Sequence, residues 1–178
     1  MSGSSNLVVF GYDALNSNTQ SFAVVLGTDV ANQNGGADII AIGHHTLNGN
    51  TGSSVIAIGL SAGVGNTGDG VVIIGDPVGH SNTGNNLVAI GTGTGSGNTG
   101  NDLVAVGLNA GVSNTGASVV ALGTSAASGN AGTHVYAVGE NAGLCNTTSS
   151  LIATGWNAAS MSGATGIENY AWQSILAN

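Results

Sequence analysis

Ala110-Gly111-Val112-Ser113-Asn114-Thr115-Gly116-Ala117-Ser118-Val119-Val120-Ala121-Leu122-Gly123 is the stretch that decides the fold. It joins a polar turn to four apolar residues closed by a glycine, and it recurs. The closing glycine stands at Gly11, Gly27, Gly43, Gly59, Gly75, Gly91, Gly107, Gly123, Gly139 and Gly155, sixteen residues apart each time without an insertion. A register held through ten units marks a repeat protein of stacked coils, in which each coil buries its apolar side against its neighbours.

Positions are counted from that glycine. The four before it are apolar, as in Ile39-Ile40-Ala41-Ile42, Val55-Ile56-Ala57-Ile58 and Leu103-Val104-Ala105-Val106. Their β-branched content reads as strand. Side chains alternate faces along a strand, so four apolar residues in a row make both faces apolar. A single roll buries only its inner face. The outer one therefore predicts a cover, most simply the same sheet from another copy of the chain. Ala recurs two positions before the glycine, which implies close approach inside a narrow roll or beside an axis. The glycine itself permits a tight turn out of the strand.

Beyond the glycine, a weaker column at the third position (Ala14, Val30, Thr46, Ala62, Val78) predicts a short second strand returning across the coil. At the seventh position stand Asn18, Asn34, Asn50, Asn66, Asn82, Asn98, Asn114, Asn130 and Asn146. Thr usually follows, then Gly. Asn-Thr-Gly is turn chemistry, with Asn capping its own backbone and Gly supplying positive φ. Stacked in one column, the asparagines predict an amide ladder up the solenoid. The position after the glycine varies freely (Tyr12, Thr28, His44, Leu60, Asp76) and reads as a solvent face. Ten coils at about 4.8 Å make a stack about 48 Å high.

Composition narrows the function. The 178 residues contain no Lys and no Arg, and eight acidic residues give a formal net charge of −8. Without a cation to neutralise phosphate, the chain does not bind nucleic acid or an anionic membrane surface. At 42 % hydrophobic, with the apolar residues in phased runs, it has a core to bury and is not disordered. No run has the roughly 18 apolar residues of a membrane span. Cys145 is the single cysteine, so no intrachain disulfide framework exists. The expected organisation is a tail at 1–5, the sixteen-residue-repeat solenoid at 6–155, and a degenerate last coil or cap at 156–178. There Ser162 replaces the ladder asparagine, Ala171 stands where an eleventh glycine would be, and Tyr170, Trp172, Ile175 and Leu176 are available to close the end.

The Val-Ala-Ile-Gly strand followed by a small-residue turn resembles the head repeats of trimeric autotransporter adhesins, which form a left-handed β-roll of three chains around one axis. The longer unit from Ala110 to Gly123 is similar to arrays in bacteriophage tail-fibre proteins. The likeness runs from Asn6 to about Gly155 and speaks to architecture more than to function. No secretion signal, stalk or anchor is visible, which favours the virion over the secreted adhesin.

Enzymatic chemistry finds no support in the sequence. His44, His45, His80 and His134 occupy different positions of the repeat, and Cys145 has no histidine at a matched position in an adjacent coil. Asp38, Asp69 and Asp102 read as solvated turn carboxylates, since the period of sixteen does not fit calcium-binding nonapeptide rolls. His44 and His45 could meet symmetry copies around an ion, but exposed loop histidines are the preferred reading. The expectation is therefore no catalytic residue, metal ligand or cofactor. The protein reads as a non-enzymatic structural or adhesive virion protein, part of a phage fibre or surface projection. Its expected partners are its own copies, another virion or fibre protein, and a host surface glycan or protein. Tyr12, His80, Tyr136 and Trp156 are the candidate receptor-facing residues. Alternatives are a self-assembling extracellular filament or surface adhesin subunit, and an ice-binding solenoid using the Thr column.

Overall fold

A computed structural model describes residues 6–160 and 170–172. The expected tail at 1–5 and most of the expected cap, including Ser162, Ile175 and Leu176, lie outside the described residues. Each apolar quartet forms a strand: β1 (Leu7–Phe10), β2 (Ala23–Thr28), β3 (Ile39–His44), β4 (Val55–Leu60) and β5 (Val71–Ile74). The series continues with β6 (Leu87–Ile90), β7 (Leu103–Val106), β8 (Val119–Leu122), β9 (Val135–Val138), β10 (Leu151–Thr154) and β11 (Tyr170–Trp172). All lie in one parallel sheet in chain order. The register is sixteen, with Ile40 beside Ile56 and Ala41 beside Ala57. The protein is an all-β parallel solenoid, with no helix among the described residues.

Two constraints act on the register glycines. Their φ runs from 115° at Gly155 to 148° at Gly11, a region closed to L side chains. Coils also meet there: a Cβ on Gly59 would stand well under 3.0 Å from the carbonyl oxygen of Gly75. The glycines of the Asn-Thr-Gly turn have a different reason from the one expected. None of Gly52, Gly68, Gly84, Gly100 and Gly116 has a left-handed φ. A Cβ on Gly84 would instead collide with the Gly100 carbonyl, so this column is small because the coils touch.

Among the described residues no second strand forms after the glycine. The second, fourth and sixth positions carry left-handed φ, as at His45 (56°), Leu47 (55°) and Gly49 (70°), which breaks the pleat. The segment is still bonded from coil to coil, in alternating directions. Leu47 N–H donates to Ala62 O (2.8 Å), and Gly49 N–H donates to Asn32 O in the coil before (2.9 Å). Non-glycine residues in this conformation cost roughly 1–2 kcal/mol each. The bonds and the burial they permit offset that cost.

This wall and the sheet enclose one narrow core. The first and third residues of each quartet point inward, as with Val55 and Ala57 or Leu103 and Ala105, against the third and fourth positions after the glycine. Size is traded across the gap. Where Ile73 replaces the usual alanine, Gly79 lies opposite, and a Cβ there would reach Ile73 Cδ1 at 2.6 Å. Gly111 makes the same room for Leu103. Buried hydroxyls are absorbed locally: Thr46 Oγ1 donates to Gly59 O (2.5 Å), and Thr94 Oγ1 donates to Gly107 O.

The last strand departs from the sixteen-residue count. β11 sets Ala171 beside Ala153, so Ala171 occupies the alanine column and not the glycine column. The paired residues there stand eighteen apart in the sequence, two more than in the other strand pairs.

The two glycine roles separate by mutation. Gly84→Ala should cost about 3 kcal/mol or more through the carbonyl collision, despite its ordinary φ. Gly49→Ala, with left-handed φ but open space around it, should cost only about 1 kcal/mol. Urea unfolding of the two variants checks the order.

Candidate functional site

The most regular polar feature is interior. Asn34, Asn50, Asn66, Asn82, Asn98, Asn114, Asn130 and Asn146 are buried. Each Nδ2 donates to the Oδ1 of the asparagine one coil earlier, at 2.7 to 2.9 Å. The second amide hydrogen reaches the carbonyl two residues on, as from Asn98 to Gly100 O (2.7 Å). Asn18 begins the ladder, accepting from Asn34 and donating to Gln20 O (2.6 Å). At the other end Thr148 closes it, its Oγ1 donating to Asn146 Oδ1 at 2.6 Å. No buried side-chain polar atom among the described residues lacks a partner. The ladder holds the coils in register and has no free valence for chemistry.

A second ladder runs outside, three positions further on, and was not read from the sequence because its residue type changes. Ser53 N–H donates to Asp69 Oδ1, Asp69 N–H to Asn85 Oδ1, and Asn85 N–H to Asn101 Oδ1, at 2.7 to 2.9 Å. Any short acceptor serves there, so identity drifts while function stays. Beside it the column Thr51, Thr67, Thr83, Thr99 and Thr115 is exposed.

The outer sheet face is a continuous non-polar surface. The second and fourth residues of the quartets form two unbroken columns along β1 to β10. One includes Val24, Ile40, Ile56, Val104 and Ile152, and the other Leu26, Ile74, Ile90 and Val106, all of them exposed. Both columns lack any charged residue, and only Tyr136 and Thr154 bring a hydroxyl. Two faces were expected to be buried; within one chain the inner one is buried and the outer one is open.

The four candidate receptor residues are not brought together. Tyr12 (79 % exposed) and Trp156 (62 %) share the column after the glycine but stand in the first and tenth coils. Tyr136 lies within β9 on the outer apolar face. His80 is half-buried on the turn side, with Nε2 donating to Ser61 O (2.6 Å). The fold does bring Asp29, His44 and His45 into one cluster. The register aligns Asp29 with His45 in the next coil, which searching for a histidine column does not reveal. Cys145 is exposed, without a disulfide partner. A cavity of about 450 Å³ at the first coil is lined by Asp13, Ala14, Leu15, Asn16, Ser17 and Asn18, and Asp13 is its one ionisable residue.

A scan of protein-family models found none that matches this chain, and a search of curated proteins found no similar one.

Removing one rung should be costly. Asn98→Ala deletes bonds to Asn82, Gly100 and Asn114 and leaves buried groups unpaired. The expected loss is about 3 kcal/mol or more. The exposed neighbour Thr99→Ala should stay within about 0.5 kcal/mol. Chemical denaturation of both variants measures the contrast.

Proposed function

We propose that the protein is a non-enzymatic structural and adhesive component of a bacteriophage fibre or surface projection. It assembles as a homotrimer through the outer sheet faces and presents its turn edges to another virion or fibre protein and to a host glycan or protein. The observation that carries this reading is the uncharged apolar face formed by the columns of Ile56 and Ile90. At about 48 Å by 13–20 Å it offers roughly 600–1,000 Å² per copy. That brackets the 800 Å² or so that each partner of a stable complex buries. Contiguous exposed apolar patches beyond a few hundred Å² mark interaction surfaces. The parallel sheet fits the same reading, because parallel strands are ordinarily covered on both sides.

The resemblance to fibre and autotransporter repeats supplies the choice of three copies. The saturated interior ladder supports a mechanical role, and the open ring of turns supplies places for variable contacts. A self-assembling filament is the second reading. The observation that favours it is the uniform parallel register of sixteen, which copies stacked coil on coil would continue.

Sedimentation equilibrium should give three copies per particle for the wild type. An Ile56→Asp/Ile90→Asp variant should be monomeric with an unchanged far-ultraviolet circular dichroism spectrum, since both side chains point away from the core. A wild-type monomer at micromolar concentration would sink the trimer. Electron micrographs showing uniform threads in place of short rods would favour the filament.

A further inference from the structure

We propose that Asp29, His44 and His45 form a binding site for a divalent cation of the zinc type, with a remaining coordination position open to water. His44 ends β3, and His45 begins the turn after it. Asp29 is the residue aligned with His45 one coil earlier. One donor atom from each of the three lies within 4.8 Å of the others. Asp29 Oδ2 is 3.7 Å from His45 Nε2 and 4.0 Å from His44 Nε2. Zinc bonds of 2.0–2.1 Å at tetrahedral angles set donors about 3.4 Å apart. Both histidine side chains are 51 % exposed, so small rotations can close that difference. The rings already meet edge to face, 4.8 Å between centroids. The chain contains no Lys or Arg to compete for the carboxylate.

Asn48 sets the resting state of the site. Its Oδ1 accepts from Asn32 N–H (3.0 Å), which turns its Nδ2 toward His45 Nδ1 (2.8 Å). A neutral His45 then carries its proton on Nε2, facing Asp29. Ligation through Nε2 needs the other tautomer, with Nδ1–H donating outward. Binding the ion therefore moves that proton from Nε2 to Nδ1 and turns the Asn48 amide over, at the cost of its bond to Asn32. An aspartate at position 48 removes the conflict, because its two oxygens can accept from Asn32 N–H and from His45 Nδ1–H together. This makes Asn48 a positioning residue with a diagnostic sign: Asn48→Asp tightens binding, although it touches no metal.

The test is titration of the full chain with zinc chloride by calorimetry, and with cobalt(II) by visible absorption, in a Cys145→Ser background so that the thiol cannot contribute. The expected result is one ion per chain and a tetrahedral cobalt spectrum. Affinity should fall at least about tenfold in Asp29→Asn and in His44→Gln/His45→Gln, and rise several-fold in Asn48→Asp. Melting curves without metal report that these surface variants keep the fold. No saturable binding at millimolar metal would overturn the proposal. So would binding that survives His44→Gln/His45→Gln, or an Asn48→Asp variant that binds more weakly than its parent.

Discussion

The stacked coils answer throughout to the spacing of a hydrogen-bonded parallel ladder, about 4.8 Å. At that distance each residue stands on its counterpart in the next coil, so a column must tolerate contact with itself. Asparagine does so by donating and accepting at once, and the buried ladder from Asn34 to Asn146 uses both capacities. Glycine does so by having no Cβ where carbonyl oxygens press in. Aliphatic residues do so by stacking. Charged residues would repel, and the scarcity of charge in the repeat follows from the same constraint.

Much of the architecture was legible because the constraint writes itself into the sequence at fixed intervals. The apolar quartets, the register glycines and the asparagine column by themselves name the strands, their register and the polar seam. What escaped reading has a physical reason in each case. The turn wall looks like a strand by its apolar third position, but alternating left-handed φ at residues such as His45 and Leu47 depends on backbone freedom that composition only hints at. The Asn-Thr-Gly glycine looks like a positive-φ residue and is in fact a spacing residue. The exchange of Ile73 for Gly79 couples two columns and shows only across the core. The outer ladder through Asp69 and Asn85 was hidden because several residue types can accept one backbone N–H.

The candidate sites show the same division. A repeated catalytic or metal site would be visible as a column of histidine, cysteine or carboxylate side chains, and no position of the repeat carries such a column through all its coils. A site used once can form where chance substitutions in adjacent coils meet, as Asp29 and His45 do. In a solenoid, neighbours in space lie sixteen residues apart, so such clusters become readable only after the chain is folded onto its register. The receptor residues proposed from exposure alone had no such constraint, and the fold scatters them over different coils.

The central claim is that the outer sheet face, although open on one chain, is covered by other copies in the assembled protein. Methyl-labelled protein with a soluble paramagnetic agent tests it directly. The methyls of Ile40, Ile56, Ile74 and Ile90 should be shielded as well as those of the core residues Ile39 and Ile73, while the turn methyl of Ala131 is strongly relaxed. Outer isoleucines relaxed as strongly as Ala131 would contradict the claim.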